Sequence, residues 1–175
     1  MKWTLLVAAM VPATALAEPR VTVEADAGVG EALGIASPSV GVGAGGWIAP
    51  RAALTLRATA LTLSPRSPDP SGIATIDRYR RTFMFVGPSL QYWLGDRVWL
   101  GAGVGVSAML ADSDVMRGWG ADLRAGYAMG AFDISLEVTP SYFPTGGGVY
   151  NSGTSLMPLS TTTTGIALLA GYQFR

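Results

Sequence analysis

The chain has no histidine and no cysteine among its 175 residues. Without cysteine there is no disulfide framework and no thiolate metal site. Without histidine the commonest general base and the commonest transition-metal ligand are both missing. Lysine occurs once, at Lys2, so the remaining cationic side chains are arginines. Twelve basic residues balance twelve acidic ones, which leaves no basic footprint for nucleic acid. An apolar run of about 20 residues is lacking as well, so no helix is expected to cross a bilayer.

What remains is apolar and rich in glycine: 49% of residues are hydrophobic and 23 are glycine. A chain can be this apolar without apolar runs if its apolar residues alternate. Alternation is the mark of a β-barrel that crosses a membrane with strands. The first residues stand apart from it. Met1-Lys2 is a positive start, Trp3 to Val11 is a short apolar core, Pro12 breaks it, and Ala15-Leu16-Ala17 is an A-x-A cleavage site. Residues 1–17 therefore read as a secretory signal peptide, and residues 18–175 as one barrel domain.

The stretch Val98 to Leu110 (VWLGAGVGVSAML) shows the pattern best. Val98, Leu100, Ala102, Val104, Val106, Ala108 and Leu110 fall on one face of a strand, while Gly101, Gly103, Gly105 and Ser107 fall on the other. Eight such segments are expected, near 20–30, 39–48, 52–64, 80–94, 98–110, 117–129, 132–143 and 163–174. The connections at Ala49-Pro50-Arg51, Gly95-Asp96-Arg97 and Gly130-Ala131 are tight; those after strands one, three, five and seven read as longer. Short turns on one side and longer loops on the other suit a barrel whose two termini lie at the periplasmic rim. The expected fold is thus all-β, a closed antiparallel up-and-down transmembrane β-barrel of eight strands.

Charges in mid-strand fall on the less greasy face. A charge facing lipid at the midplane costs about 2–4 kcal/mol, so that face is assigned to the lumen. It would hold Glu24, Asp26, Asp122, Asp133 and Glu137 with Arg57 and Arg124. Buried charges must be paired or neutralised. The set reads as a network that closes the pore; the other reading is a narrow conduit. The acids outnumber the arginines, so either some are protonated or Arg51, Arg97 and Arg117 lean in from the rims. Small lumen residues such as Gly41, Gly43, Gly101, Gly103 and Gly105 leave room for these side chains. Tyr92, Tyr127, Phe132, Tyr172 and Phe174 near the turns, with Trp119 and Tyr142 near the loops, fit two interfacial girdles.

One contact follows from turn length. Gly130-Ala131 suits a type II′ hairpin, which sets Met129 opposite Phe132 and Arg124 opposite Glu137. An Arg124–Glu137 salt bridge is expected, with Asp122 as a second acceptor. Two further motifs carry little. Gly41 to Gly46 contains a G-x-G-x-x-G match without the strand-to-helix setting that a dinucleotide site needs. Asp112 and Asp114 are formal acid–base partners but read as solvated loop acids, too few for a calcium cage.

The chain ends Gly171-Tyr172-Gln173-Phe174-Arg175. With the leader, strand count and loop alternation, this resembles the small eight-stranded outer-membrane proteins of Gram-negative bacteria, of the OmpA/OmpX-like barrel type. The resemblance implies residence in outer-membrane lipid and recognition of the aromatic-ended last strand by the barrel assembly machinery, although here Arg175 follows the aromatic residue. The barrel enzymes among such proteins depend on a histidine, so no enzyme and no cofactor are expected. Arg78, Arg80 and Arg81, after Asp77, sit at the expected outer rim and suit lipopolysaccharide phosphates, or else pair with Asp69 and Asp77. The reading is a structural or loop-mediated interaction role with no identified extracellular partner. A narrow passive channel for small or apolar solutes and a secreted soluble ligand carrier are the alternatives.

Overall fold

Alternation of apolar and small or polar residues produces eight strands in a computed structural model, which describes residues 21–33, 35–63, 81–111, 114–144 and 162–174. The strands are β1 (Val21–Ala32), β2 (Ile35–Ala49), β3 (Ala52–Leu63), β4 (Arg81–Trp93), β5 (Val98–Ala111), β6 (Asp114–Met129), β7 (Phe132–Tyr142) and β8 (Thr162–Phe174). Each pairs antiparallel with the next, and β8 returns to β1, so the sheet has no free edge. Closure pairs each strand on both sides within the sheet, as a hydrocarbon surrounding demands.

The faces separate cleanly. Val104 is 68% exposed and its strand neighbour Ser107, facing the other way, is fully buried. Leu54, Leu56, Leu90, Leu123, Ile134, Leu136, Ile166 and Leu168 all point outward. This continuous apolar belt makes the molecule a transmembrane barrel. Tyr92, Tyr127, Phe132, Tyr172 and Phe174 ring its turn-side end and Trp119 and Tyr142 lie toward the other, with Phe132 edge-on to Tyr172 at 5.6 Å.

The tight turns lie where the sequence puts them. Gly130 has φ 72° and Ala131 has no positive φ, as the first position of a II′ turn requires. Met129 pairs with Phe132 and Arg124 with Glu137. Two expected long loops are hairpins instead. β1 runs to Ala32 and pairs it with Ile35, so Leu33 (φ 55°) and Gly34 alone link β1 to β2. β5 pairs Ala111 with Asp114, which leaves only Asp112 and Ser113 between β5 and β6. Pro38 disguised the first: it lies inside β2, beyond the end of the β2–β3 ladder, where an edge tolerates proline. The G-x-G-x-x-G match lies wholly within β2. The expected signal peptide, Arg78, Arg80 and Asp112 lie outside the described residues.

The interior is layered. Toward the turn side, Trp47, Trp93, Trp99 and Ala128 pack together. Toward the loop side, Ala32, Leu61, Leu63, Phe83, Met109 and Phe143 form a second apolar cluster. Glu24, Asp26, Arg57, Asp122, Arg124 and Glu137 lie between the two, while Asp133 is paired with Ala128 at the level of the tryptophans.

Candidate functional site

The middle of the lumen is built by inward positions of β1, β3, β4, β6 and β7. The period of two that turns Val23 and Leu56 outward turns Glu24 and Arg57 inward. Glycines opposite them make the space. A Cβ at Gly41 would strike the Asp26 carboxylate and lie 2.6 Å from Arg57 Nη2, and one at Gly43 would lie 2.5 Å from Glu24 Oε1.

Arg57 is fully buried and serves three acids. Its Nη1 donates to Glu24 Oε1 at 3.0 Å and to Asp26 Oδ2 at 2.8 Å, and its Nη2 donates to Glu137 Oε2 at 2.6 Å. Arg124 reaches across to Glu24, with Nη1 at 3.1 Å from Oε1, and donates from Nη2 to Ser89 Oγ at 3.2 Å. Its Nε lies 3.1 Å from Asp122 Oδ2 without the angle of a hydrogen bond. Its guanidinium also lies over Trp99, 5.2 Å from the ring centre.

The expected Arg124–Glu137 salt bridge does not form. The two residues are paired in register, yet Glu137 goes to Arg57 and Arg124 goes to Glu24 and Asp122. Cross-strand distance is only one route to a partner. In a barrel of eight strands the lumen is narrow enough for an arginine to reach the far wall, where Arg124 shares the Glu24 carboxylate with Arg57. Asp122, named as the second acceptor, is in contact. Asp133 is buried on the same lumen face, beside Asp26 at Gly171.

The rim arginines do not lean in. Arg51, Arg97 and Arg117 are all exposed. Arg97 donates to Tyr127 Oη at 3.1 Å on the outer surface, and that hydrogen bond raises its pKa above the ordinary guanidinium value. Arg81 opens β4 on its lumen-facing register, half-buried at the loop-side end. Asp114 opens β6 as a strand residue, not a loop residue.

Some lumen contacts escaped the sequence reading. Gln173 donates to Gln91 at 2.7 Å and to Thr22 at 3.3 Å, all three buried in the lumen. Ser107 and Ser141 share a hydrogen bond of 2.6 Å on the other side. Trp47, Trp93 and Trp99 sit on inward positions near strand ends, where the alternation alone could have placed them. Among the described residues no group of three acidic side chains is arranged to hold a metal ion. Glu24, Asp26, Asp122 and Glu137 are each held by a guanidinium, which favours fixed structure over proton transfer at these four.

No family model and no curated protein sequence matches the chain. Solved structures do. Neisserial surface protein A (NspA) matches with a TM-score of 0.55 at 18% identity, over 87% of this chain and 95% of that one. The N-terminal β-barrel domain of OprF from Pseudomonas aeruginosa matches with a TM-score of 0.56 at 11% identity, over 90% and 100%. This chain has the fold of the small eight-stranded outer-membrane barrels. Ail, the attachment invasion locus protein of Yersinia pestis, shares the barrel with a TM-score of 0.51 at 9% identity, over 89% and 97%. At these identities the barrel is what is shared, not the role.

Proposed function

We propose that this chain is a non-enzymatic integral protein of the Gram-negative outer membrane, working as a closed barrel that displays its outer connections. The observation that carries the reading is the filled lumen. A charged belt with Arg57 fully buried lies between an apolar layer of tryptophans and a second apolar layer around Phe83 and Phe143. A conduit needs a continuous polar path, and both apolar layers interrupt one. The soluble-carrier alternative is disfavoured by the apolar belt, which would leave Val104, Leu56 and Leu168 in water.

In this reading residues 1–17 direct export, the barrel assembly machinery takes up β8, and both termini face the periplasm. The two long connections, residues 64–80 and 145–161, then belong to the outer side, and Arg78 and Arg80, at the end of the first, are proposed as contacts for lipopolysaccharide phosphates; Arg81, on the lumen-facing register of β4, is not. Planar-bilayer recording of the purified protein tests the closed lumen. The expected result is no conductance steps; regular ohmic steps would favour the channel.

A further inference from the structure

The outer wall is not evenly convex. Where β3 to β8 cross it, a groove of about 780 Å³ is sunk into the lipid-facing surface. Val104, Val106, Trp119 and Tyr142 flank it, and it reaches down to Gly87, Gly105 and Gly120, whose positions face the lumen. Two prolines on the outward face coincide with breaks in the ladders. β4–β5 pairing stops at Val86 with Val106 and resumes at Ser89 with Gly103, passing Pro88. β6–β7 pairing stops at Gly120 with Ser141 and resumes at Leu123 with Val138, passing Pro140. Proline has no N–H to give a ladder, so the pairing lapses there although the backbones stay close: a Cβ at Gly105 would lie 2.7 Å from the Gly87 Cα. Ala121, between the two breaks, is too small to fill the depression.

Charge marks one end of this groove. Among the described residues, the outward strand positions between the rims carry only two charges, Glu31 and Arg117. Arg117 is exposed, two residues beyond Trp119 on the same face of β6, toward the loop side. Glu31 is remote from it, in the row of Ile166, Val138 and Leu123, six residues away along β6 and three strands around the barrel. With no other outward strand charge near it among the described residues, a guanidinium just beyond an apolar groove complements an anionic headgroup on an acyl chain.

We propose that this groove seats an acyl chain of a phosphate-bearing lipid, with Arg117 holding the phosphate. The inference rests on the outer-membrane reading. It is tested through Trp119, the one outward-facing tryptophan of the described residues; Trp47, Trp93 and Trp99 line the lumen. The purified protein is reconstituted into phosphatidylcholine vesicles that hold a small fraction of brominated lipid, either phosphatidic acid or phosphatidylcholine. Bromine on the acyl chains quenches a tryptophan it touches. The proposal expects stronger quenching by the phosphatidic acid, matching a local enrichment of about fivefold from one arginine at the surface. Arg117→Gln should abolish the difference, and Ala121→Phe, which fills the groove, should reduce it. Equal quenching by the two lipids overturns the proposal, as does an enrichment that survives Arg117→Gln. Vesicles of wholly brominated phosphatidylcholine separate the two levels of the argument. No quenching there, from a protein that washes off the vesicles, would sink the membrane reading itself. No quenching from a protein that stays embedded would mean a second copy covers the groove, and would overturn the lipid proposal alone.

Discussion

Arg57 holds the interior together more than any other side chain. It is out of contact with solvent and pairs with Glu24, Asp26 and Glu137 at once. Removing one partner of a buried network leaves charges without compensation, at a cost of about 3–5 kcal/mol. Arg57→Met is expected to destabilise the barrel by that amount in a urea titration in lipid vesicles. Part of the loss is the repulsion and desolvation of the carboxylates left behind. Arg57→Met with Glu137→Met should therefore cost clearly less than the sum of the two single changes. The same cycle between Arg124 and Glu137 should give a smaller coupling, since these two residues are in register but not in contact. Equal couplings would contradict the bonding pattern.

Among the strands, lumen glycines serve two different purposes. A Cβ at Gly101 would meet the flexible Arg124 side chain at 3.3 Å, so this glycine makes room for a guanidinium. A Cβ at Gly105 would run into the Val86 carbonyl of the neighbouring strand, so this one permits close approach of two backbones. Gly105→Val should then cost about 1–3 kcal/mol or more by overpacking, and Gly101→Ala distinctly less. Refolding yield into vesicles, read as the folded fraction on unboiled gels, ranks them. Outward positions follow a different rule. Val104→Arg puts a charge into lipid and should cost about 2–4 kcal/mol in the same titration. Much of this was legible in the sequence. A period of two fixes which residues share a face, and the Gly130-Ala131 turn fixes the β6–β7 register down to Arg124 opposite Glu137. The hairpins at Leu33-Gly34 and Asp112-Ser113 were not legible, because proline, serine and aspartate signal loops whether or not a ladder continues through them. Nor were the ion pairs across the lumen, which depend on closure and on the reach of long side chains. The inward tryptophans were legible from the alternation, but their type pointed elsewhere: aromatics near strand ends suit a membrane girdle as well as a plug.

The whole molecule is a closed sheet wrapped around a filled core, with lipid where a soluble protein would have water. Closed barrels resist cold detergent, so the unboiled protein should run away from its unfolded position on a gel and shift to it on boiling. Migration at one position in both states would argue against closure. The absence of cysteine opens a more direct measurement. Single cysteines can be placed along β5 from Val98 to Leu110, spin-labelled in vesicles, and tested for collision with oxygen, which concentrates in lipid, and with a water-soluble nickel chelate. At Val104 and Val106 the account predicts high oxygen and low nickel accessibility; at Gly103 and Ser107 it predicts low accessibility to both. High nickel accessibility at Ser107 would reveal a water-filled pore, and high nickel accessibility at Val104 would place the apolar face in water; either result would contradict a plugged transmembrane barrel.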